Sequence, residues 1–577
     1  MASHQLFYRD YQHPKEFQRS LATSVKSDVT SFSTDHQSTD VCACNGIKFK
    51  CRATSVPSDV WTQLLPFLTW QDTNAMLCVC NEWRKVMTEA KKLYPEWRST
   101  VIGPSLNGFE SLELLRANHL KWADTCFAPD LVLLSAASRD SSPWHTGGYW
   151  EEAIAAIEEA RLLPPGCRIA GMFTMNAVLG TIKRGEEEQD EAALSSAVTL
   201  SVSVVHLLDT TVEMAEFDRK DLRRCHRGME LSNPFSPLEN DVPSFLMFGV
   251  NDHSASQLVA AIDKWYPGAA IVGAISSLSD RCVPLVTYCG GMAACADRLD
   301  RKKKKGTKQK FRRRSQARSQ VVFPSTMLLR LHGKVSIRPF SSSGYQAITP
   351  VIRCVRSSIV EKMSQVVTHD LVAILNHEGY EDTTLHRVMD LLHPSEILAI
   401  ERESRALNIF SCQDSAPLKH LFDCCSAHED KTPILDSVQI DRLECVFWLQ
   451  NSLMSLPRMG WQEGFYGILA SHHSTRTALA LAGALRITEE KMSASNERVL
   501  GAFMVAGALN EVEDLAHAKE INQLCAGMLR KSQFGGCVVS ISVGPVALPG
   551  GVQMSEERYI AQVQTHTTCG AVFYTKT

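Results

Sequence analysis

The sequence predicts an α+β/α/β protein: a small N-terminal helical segment followed by a duplicated α/β region with mixed sheets. Three observations carry that expectation. Apolar residues recur at helical spacing from Val60 to Met87. Two later stretches repeat one order of strand, helix, Pro-Gly turn and strand. Short β-type runs then close the chain around residues 538–543, 559–563 and 570–574.

Bulk properties set the frame. A chain of 577 residues suggests about three or four folding units. With 44% hydrophobic and 21% charged residues it has the composition of a globular protein, and a net charge of −3 gives no overall bias toward nucleic acid or membrane. No apolar run reaches the ~18 residues of a membrane span. The first residues, MASHQLFYRDYQHPKEFQRS, contain no apolar signal-like region. The 19 cysteines are scattered singly, which fits reduced thiols and a cytoplasmic and nuclear location.

Residues 1–54, rich in Ser, Thr, Asp, His and Gln, read as a mostly disordered tail. Cys42, Cys44 and Cys51 there lack a second pair at zinc-site spacing. Order begins in the segment 55–100. Pro57-Ser58-Asp59 is a helix entry, with Ser58 able to cap and Asp59 favourable to the helix dipole. Val60, Leu64 and Leu68 line one side of the first helix, with Trp61 and Leu65 beside them. Thr69 and Asp72 mark a restart, after which Ala75, Met76, Val79, Cys80, Trp83, Val86 and Met87 recur at helical spacing. So short a segment buries too little surface to fold alone. It either docks on a partner or packs within its own chain.

Residues 127–290 carry the repeat. Leu131-Val132-Leu133-Leu134-Ser135 is strand-like, residues 150–162 form a helix with Ile154 and Ile157 on one face, and Pro164-Pro165-Gly166 turns into Cys167-Arg168-Ile169-Ala170-Gly171. The second copy runs Phe245-Leu246-Met247-Phe248-Gly249, a helix marked by Leu258, Val259, Ile262 and Trp265, the turn Pro267-Gly268, and Ala269-Ala270-Ile271-Val272-Gly273. Pro165, Gly166, Ile169 and Gly171 map onto Pro267, Gly268, Ile271 and Gly273 at one constant offset. Each copy is a β-α-β unit, the normal route to a parallel pair. Gly171 and Gly273 are expected to end their strands, where a missing side chain permits a turn or the close approach of a ligand.

Residues 296–322 form an exposed basic loop. Within it, Lys302, Lys303, Lys304 and Lys305 precede Arg312, Arg313 and Arg314 across a short spacer. Like charge of this density does not pack. Two such clusters suit nuclear import; a nucleic-acid phosphate backbone is the weaker alternative. Residues 323–577 continue with strands at 327–331, 335–338 and 351–355, a polar and helical insertion near 390–460, and a helix around 511–529 with Leu515, Ala518, Ile521, Cys525 and Met528 on one face.

No motif carries catalytic or cofactor chemistry: P-loop, GxSxG, HExxH and paired CxxC are all missing from the sequence. His472-His473-Ser474 reads as surface residues in a polar loop. Cys412, Cys424, Cys425 and His428 lie close in sequence, but adjacent cysteines suit tetrahedral chelation poorly, so neither metal nor cofactor is expected.

The residues Pro57, Val60, Leu64, Leu65, Leu68, Asp72, Val79, Cys80, Trp83 and Arg84 resemble an F-box, with Val56 standing where that pattern usually has Leu. The Val-Cys-x-x-Trp-Arg ending is the specific part of the match. The remainder is similar to the FIST (F-box and intracellular signal transduction) region. That likeness rests on the repeated strand–helix–Pro-Gly–strand–Gly order and on Gly344-x-x-x-Ile348-x-Pro350, which opens the second half. The resemblance implies a non-catalytic substrate receptor of a ubiquitin ligase. Its partners would be a Skp adaptor, a cullin scaffold and a protein substrate. Pro57, Val60, Leu64, Leu65, Leu68, Val79, Cys80 and Trp83 would then form the Skp-binding face. It also implies an alternative, sensing of a small amino-acid-like ligand in a cleft near Gly171 and Gly273. The basic block and the segment near 390–460 depart from the family pattern.

Overall fold

The computed structural model describes short stretches between residues 41 and 85 and, with internal breaks, residues 96–289 and 321–575. Mixed sheets backed by helices make it an α+β protein. Its body is built from one unit used three times.

The first unit runs β1 (Glu96–Ser105), α1 (Gly108–Ala117), β2 (Leu131–Ala137), α2 (Gly148–Glu159), β3 (Arg168–Thr174), β4 (Ala177–Gly180) and β5 (Val198–His206). The second runs β6 (Thr210–Phe217), α3 (Arg219–His226), β7 (Ser244–Gly249), α4 (Asp252–Trp265), β8 (Ala270–Ile275), β9 (Leu285–Cys289) and β10 (Thr326–Gly333). The third begins at β11 (Val335–Ser343) and resumes, after an insertion, with α5 (Ser474–Ala494), β12 (Arg498–Gly507), α6 (Glu513–Met528), β13 (Gln533–Val539) and β14 (Ile541–Pro545). It closes with the added strand β15 (Ala561–Thr565) and with β16 (Thr567–Thr575).

Each unit contributes a parallel pair joined by a helix: β2 with β3, β7 with β8 and β12 with β13. A parallel pair requires such a crossover, and α2, α4 and α6 supply it. The three main sheets then share one order. The first is β9-β3-β2-β5-β1, the second β14-β8-β7-β10-β6 with β15 added beyond β14, and the third β4-β13-β12-β16-β11. In each, an antiparallel strand flanks the parallel pair, and two antiparallel strands follow on the other side.

The flanking strand never comes from the sheet's own unit. β4 leaves the first unit for the third sheet, β14 leaves the third for the second, and β9 leaves the second for the first. This closed exchange pairs an edge that would otherwise be open and makes the units mutually dependent. The sequence-level duplication is therefore two-thirds of a triplication. The break expected between halves at 290–322 falls inside the second unit.

Strand pleating sorts the side chains. Leu131 and Leu133, Leu246 and Phe248, and Phe503 and Val505 point into one apolar core shared by all three sheets. The alternate residues Val132 and Leu134, Phe245 and Met247, and Ala502 and Met504 pack under the helices of their own sheets. The expected helix faces hold: Ile154, Ile157, Leu258, Ile262, Ile521 and Cys525 are buried. The two turn glycines have positive φ, 95° at Gly166 and 79° at Gly268, as a left-handed helix cap requires.

Some expectations need correction. Gly171 and Gly273 do not end their strands; each is the fourth residue of β3 or β8. Among the described residues, the insertion near 390–460 holds strands as well as a helix: the helix Ser415–Ser426 and the strands Leu407–Cys412, Asp441–Trp448 and Leu453–Ser455, which belong to an eight-stranded sheet spanning 345–472. That sheet packs Phe410, Ile468 and Ala470 against Leu418 and Leu421 of the helix and against Val546 and Leu548 of the main body. The tail contains a hairpin, Val41–Cys44 paired with Ile47–Lys50.

Candidate functional site

In the first and second units the last strand residue is followed almost at once by a helix, β1 by α1 and β6 by α3. The third unit departs here. After β11 the chain leaves at Gly344, builds the eight-stranded sheet, and returns at His472 to start α5. Exit and return lie side by side: Tyr345 pairs with His472, and the His473 amide donates to the Gly344 carbonyl at 2.9 Å. Gly344 is required by this closeness. A Cβ there would lie 2.3 Å from the His473 carbonyl oxygen and 2.5 Å from Thr477 Oγ1.

Beneath the start of α5 the lining is polar. Ser342 on β11 faces Thr568 on β16, both on the side of the sheet that carries Phe340 and Val572 under α5 and α6. Ser342 is 2% exposed and Thr568 1%, and neither Ser342 Oγ nor Thr568 Oγ1 has a hydrogen-bond partner. Ser343 Oγ, next in the chain, and Ser471 Oγ, beside His472, are likewise buried and unpartnered. A buried hydroxyl without a partner typically costs about 1–3 kcal/mol, so several together need a reason. Around them, Thr477 Oγ1 lies 3.4 Å from His472 Nε2, and the His472 ring packs 5.1 Å from Tyr345 and 5.3 Å from His566.

The location has a structural logic. Ser342 and Thr568 lie beside the carboxyl ends of the parallel strands β12 and β13, the edge at which open α/β sheets characteristically take ligands. The first turn of α5 holds no acidic residue and includes the exposed Arg476, reversing the usual bias toward carboxylates at a helix start.

His472, read from the sequence as a surface residue, is buried at 6% exposure as the last residue of its strand. His473 is the N-cap of the 21-residue α5. Two local signals pointed here: Ser474 before the Ala/Leu-rich run 478–485, and the triple serine before Gly344. Neither says what would lie opposite.

The remaining sequence-derived residues are dispersed. Pro57, Val60, Leu64, Leu65, Leu68 and Cys80 lie outside the described residues, as do Lys302 to Lys305 and Arg312 to Arg314. Val79 is 37% exposed in a turn whose amide donates to the Met76 carbonyl at 3.1 Å, and Trp83 is partly buried in a helical stretch with Arg84 and Lys85. Gly171 and Gly273 occupy different sheets. A Cβ on Gly171 would lie 2.5 Å from Val286 Cγ1 and 3.1 Å from the Trp150 ring; one on Gly273 would lie 2.1 Å from the Met247 carbonyl oxygen. Close packing therefore accounts for both glycines.

Among the described residues no cluster of His, Cys, Asp or Glu has the makings of a metal site. Among the described residues, the buried Arg330 is engaged with the Glu213 carboxylate, the Ser236 carbonyl and the Tyr266 hydroxyl, and serves the fold. Compared with known proteins, the chain matches no family model, and no curated protein is similar to it.

Proposed function

We propose that the chain is a non-catalytic substrate receptor of a Skp–cullin–F-box ubiquitin ligase, directing protein ubiquitination and proteasomal degradation from the cytoplasm and nucleus. The supporting observation is the F-box-like stretch from Val56 to Arg84, with its Val79-Cys80-x-x-Trp83-Arg84 ending, set ahead of a large α+β body. The order resembles that of F-box only protein twenty-two. The stretch would dock on the Skp adaptor through Leu64, Leu65, Leu68 and Trp83, with Trp83 as an aromatic anchor. The body would hold the substrate, so that its lysines meet the charged conjugating enzyme at high local concentration. No helix among the described residues is long and apolar enough to cross a membrane.

The test is affinity purification of the intact chain beside a Leu68→Ala, Trp83→Ala variant, followed by mass spectrometry. Skp and cullin should accompany the intact chain and be lost from the variant. Equal recovery from both, or from neither, would remove the ligase reading.

A second reading, sensing of a small ligand without a ligase role, is favoured by one specific observation: the unpartnered hydroxyls Ser342 and Thr568 beneath α5. The two functions are compatible if a bound metabolite gates substrate capture.

A further inference from the structure

We infer that the first turn of α5, with Ser342 and Thr568 beneath it, binds the oxyanion group, carboxylate or phosphate, of a small molecule. The inference rests on the ligand-sensing reading and gives it a site and a ligand chemistry.

Two independent observations meet there. One is the amino end of a 21-residue helix, the positive pole of its dipole, where the Arg476 amide donates to the His473 carbonyl at 3.1 Å and His473 supplies no side-chain cap. Backbone amides in that arrangement bind anions. The other is the pair of buried, unpartnered hydroxyls. Their direction follows from the pleat. Ser342 stands between Phe340 and Gly344 on one face of β11. Phe340 packs in the cluster that holds Leu481 and Leu485 of α5, and the missing Cβ of Gly344 abuts Thr477. Ser342 and its cross-strand neighbour Thr568 therefore point toward the first turns of α5.

The chemistry is that of an anion receptor. Hydroxyls donate to an oxyanion, as do helix amides, and Thr477 and His472 add polar groups at the same place. Arg476, exposed in the first turn of α5, adds positive charge to that end of the helix.

The equivalent positions sharpen the point. The pair is Ile102 with Leu200 in the first sheet and Phe217 with Thr326 in the second. Leu200, Ile102 and Phe217 are buried in helix-side apolar clusters. The first sheet therefore closes this position with an apolar pair; the second holds one hydroxyl, Thr326 Oγ1, itself buried and unpartnered, and the third holds two, where the chain departs into its insertion.

Isothermal titration calorimetry of the full chain with inorganic phosphate, glutamate and acetate, at constant ionic strength with chloride as control, tests this. Phosphate alone binding identifies a phosphate site; glutamate or acetate binding identifies a carboxylate site. In either case a Ser342→Ala, Thr568→Val variant should bind at least about tenfold more weakly while melting no earlier than the intact chain. Unchanged affinity in that variant would overturn this site and leave sensing elsewhere in the molecule open. No heat with any probe, the result if the two hydroxyls are merely buried, would overturn the site and the sensing reading together.

Discussion

The first and third sheets are built to one plan and differ where a site would be. At the carboxyl edge of the first, Ile102 and Leu200 close the space under α1 with buried methyl groups. At the same edge of the third, Ser342 and Thr568 leave two hydroxyls without partners under α5. Folding alone favours the first solution, since apolar contacts there cost nothing in lost hydrogen bonds. The third unit has given up stability at one strand pair, and that pair adjoins the two ends of an eight-stranded insertion. Contrast between copies of a repeat thus marks a candidate site where the shared architecture conceals it.

Exchanging the pairs should expose this asymmetry most strongly. Leu200→Thr should destabilise the protein by about 2–4 kcal/mol, combining lost burial with a stranded hydroxyl. Thr568→Val, the reverse change in the third sheet, should stabilise it by about 1 kcal/mol in the absence of ligand. Chemical denaturation of both variants checks the signs. Equal destabilisation by both would show that Thr568 is satisfied in solution.

A smaller contrast lies in the glycines at the fourth position of β3 and β13. A Cβ on Gly171 meets side-chain atoms of Val286 and Trp150, which can shift. A Cβ on Gly536 would lie 1.8 Å from the Met504 carbonyl oxygen, at a φ of 155° that side chains rarely adopt. Gly536→Ala should therefore cost about 1–3 kcal/mol, and more than Gly171→Ala. Thermal melts of the two variants decide the order.

The thiols give the mildest test. Burial pushes Cys525 and Cys537, both in the third unit, up to about 12 from an ordinary 9.0. In the native protein at pH 8 they should resist iodoacetamide, while Cys289, partly exposed on the edge strand of the first sheet, reacts. With folded values above unfolded ones, their contribution to stability is complete below pH 9.0 and falls as pH rises toward about 12. A urea-midpoint series across that window should decline. Cys537 labelling as fast as Cys289 would mean that the third sheet opens readily.

Much of the local structure was legible. Pro267-Gly268 marked a helix end correctly, and Gly166 has the positive φ expected of the other turn, because a Pro-Gly turn carries its own geometry. Leu258 and Ile262, or Ile521 and Cys525, revealed buried faces because helical periodicity is written within a few residues. The strands within 390–460 are not legible in the sequence because Leu407–Cys412, buried along its whole length, shows no alternation by which to recognise it. His472 was misplaced for a related reason: a polar residue reads as exposed until the strands that cover it are known.

By itself, then, the sequence determined the β-α-β grammar, the turns, the helix faces and the F-box-like pattern, all of which rest on neighbours in the chain. Only the tertiary structure decided the triplication, the cyclic exchange of β4, β14 and β9, and the meeting of Ser342, Thr568, Thr477 and His472. Those depend on strand pairing between residues more than a hundred positions apart. No local preference encodes such pairing, because its free energy comes from surfaces that exist only once the other units have folded against them.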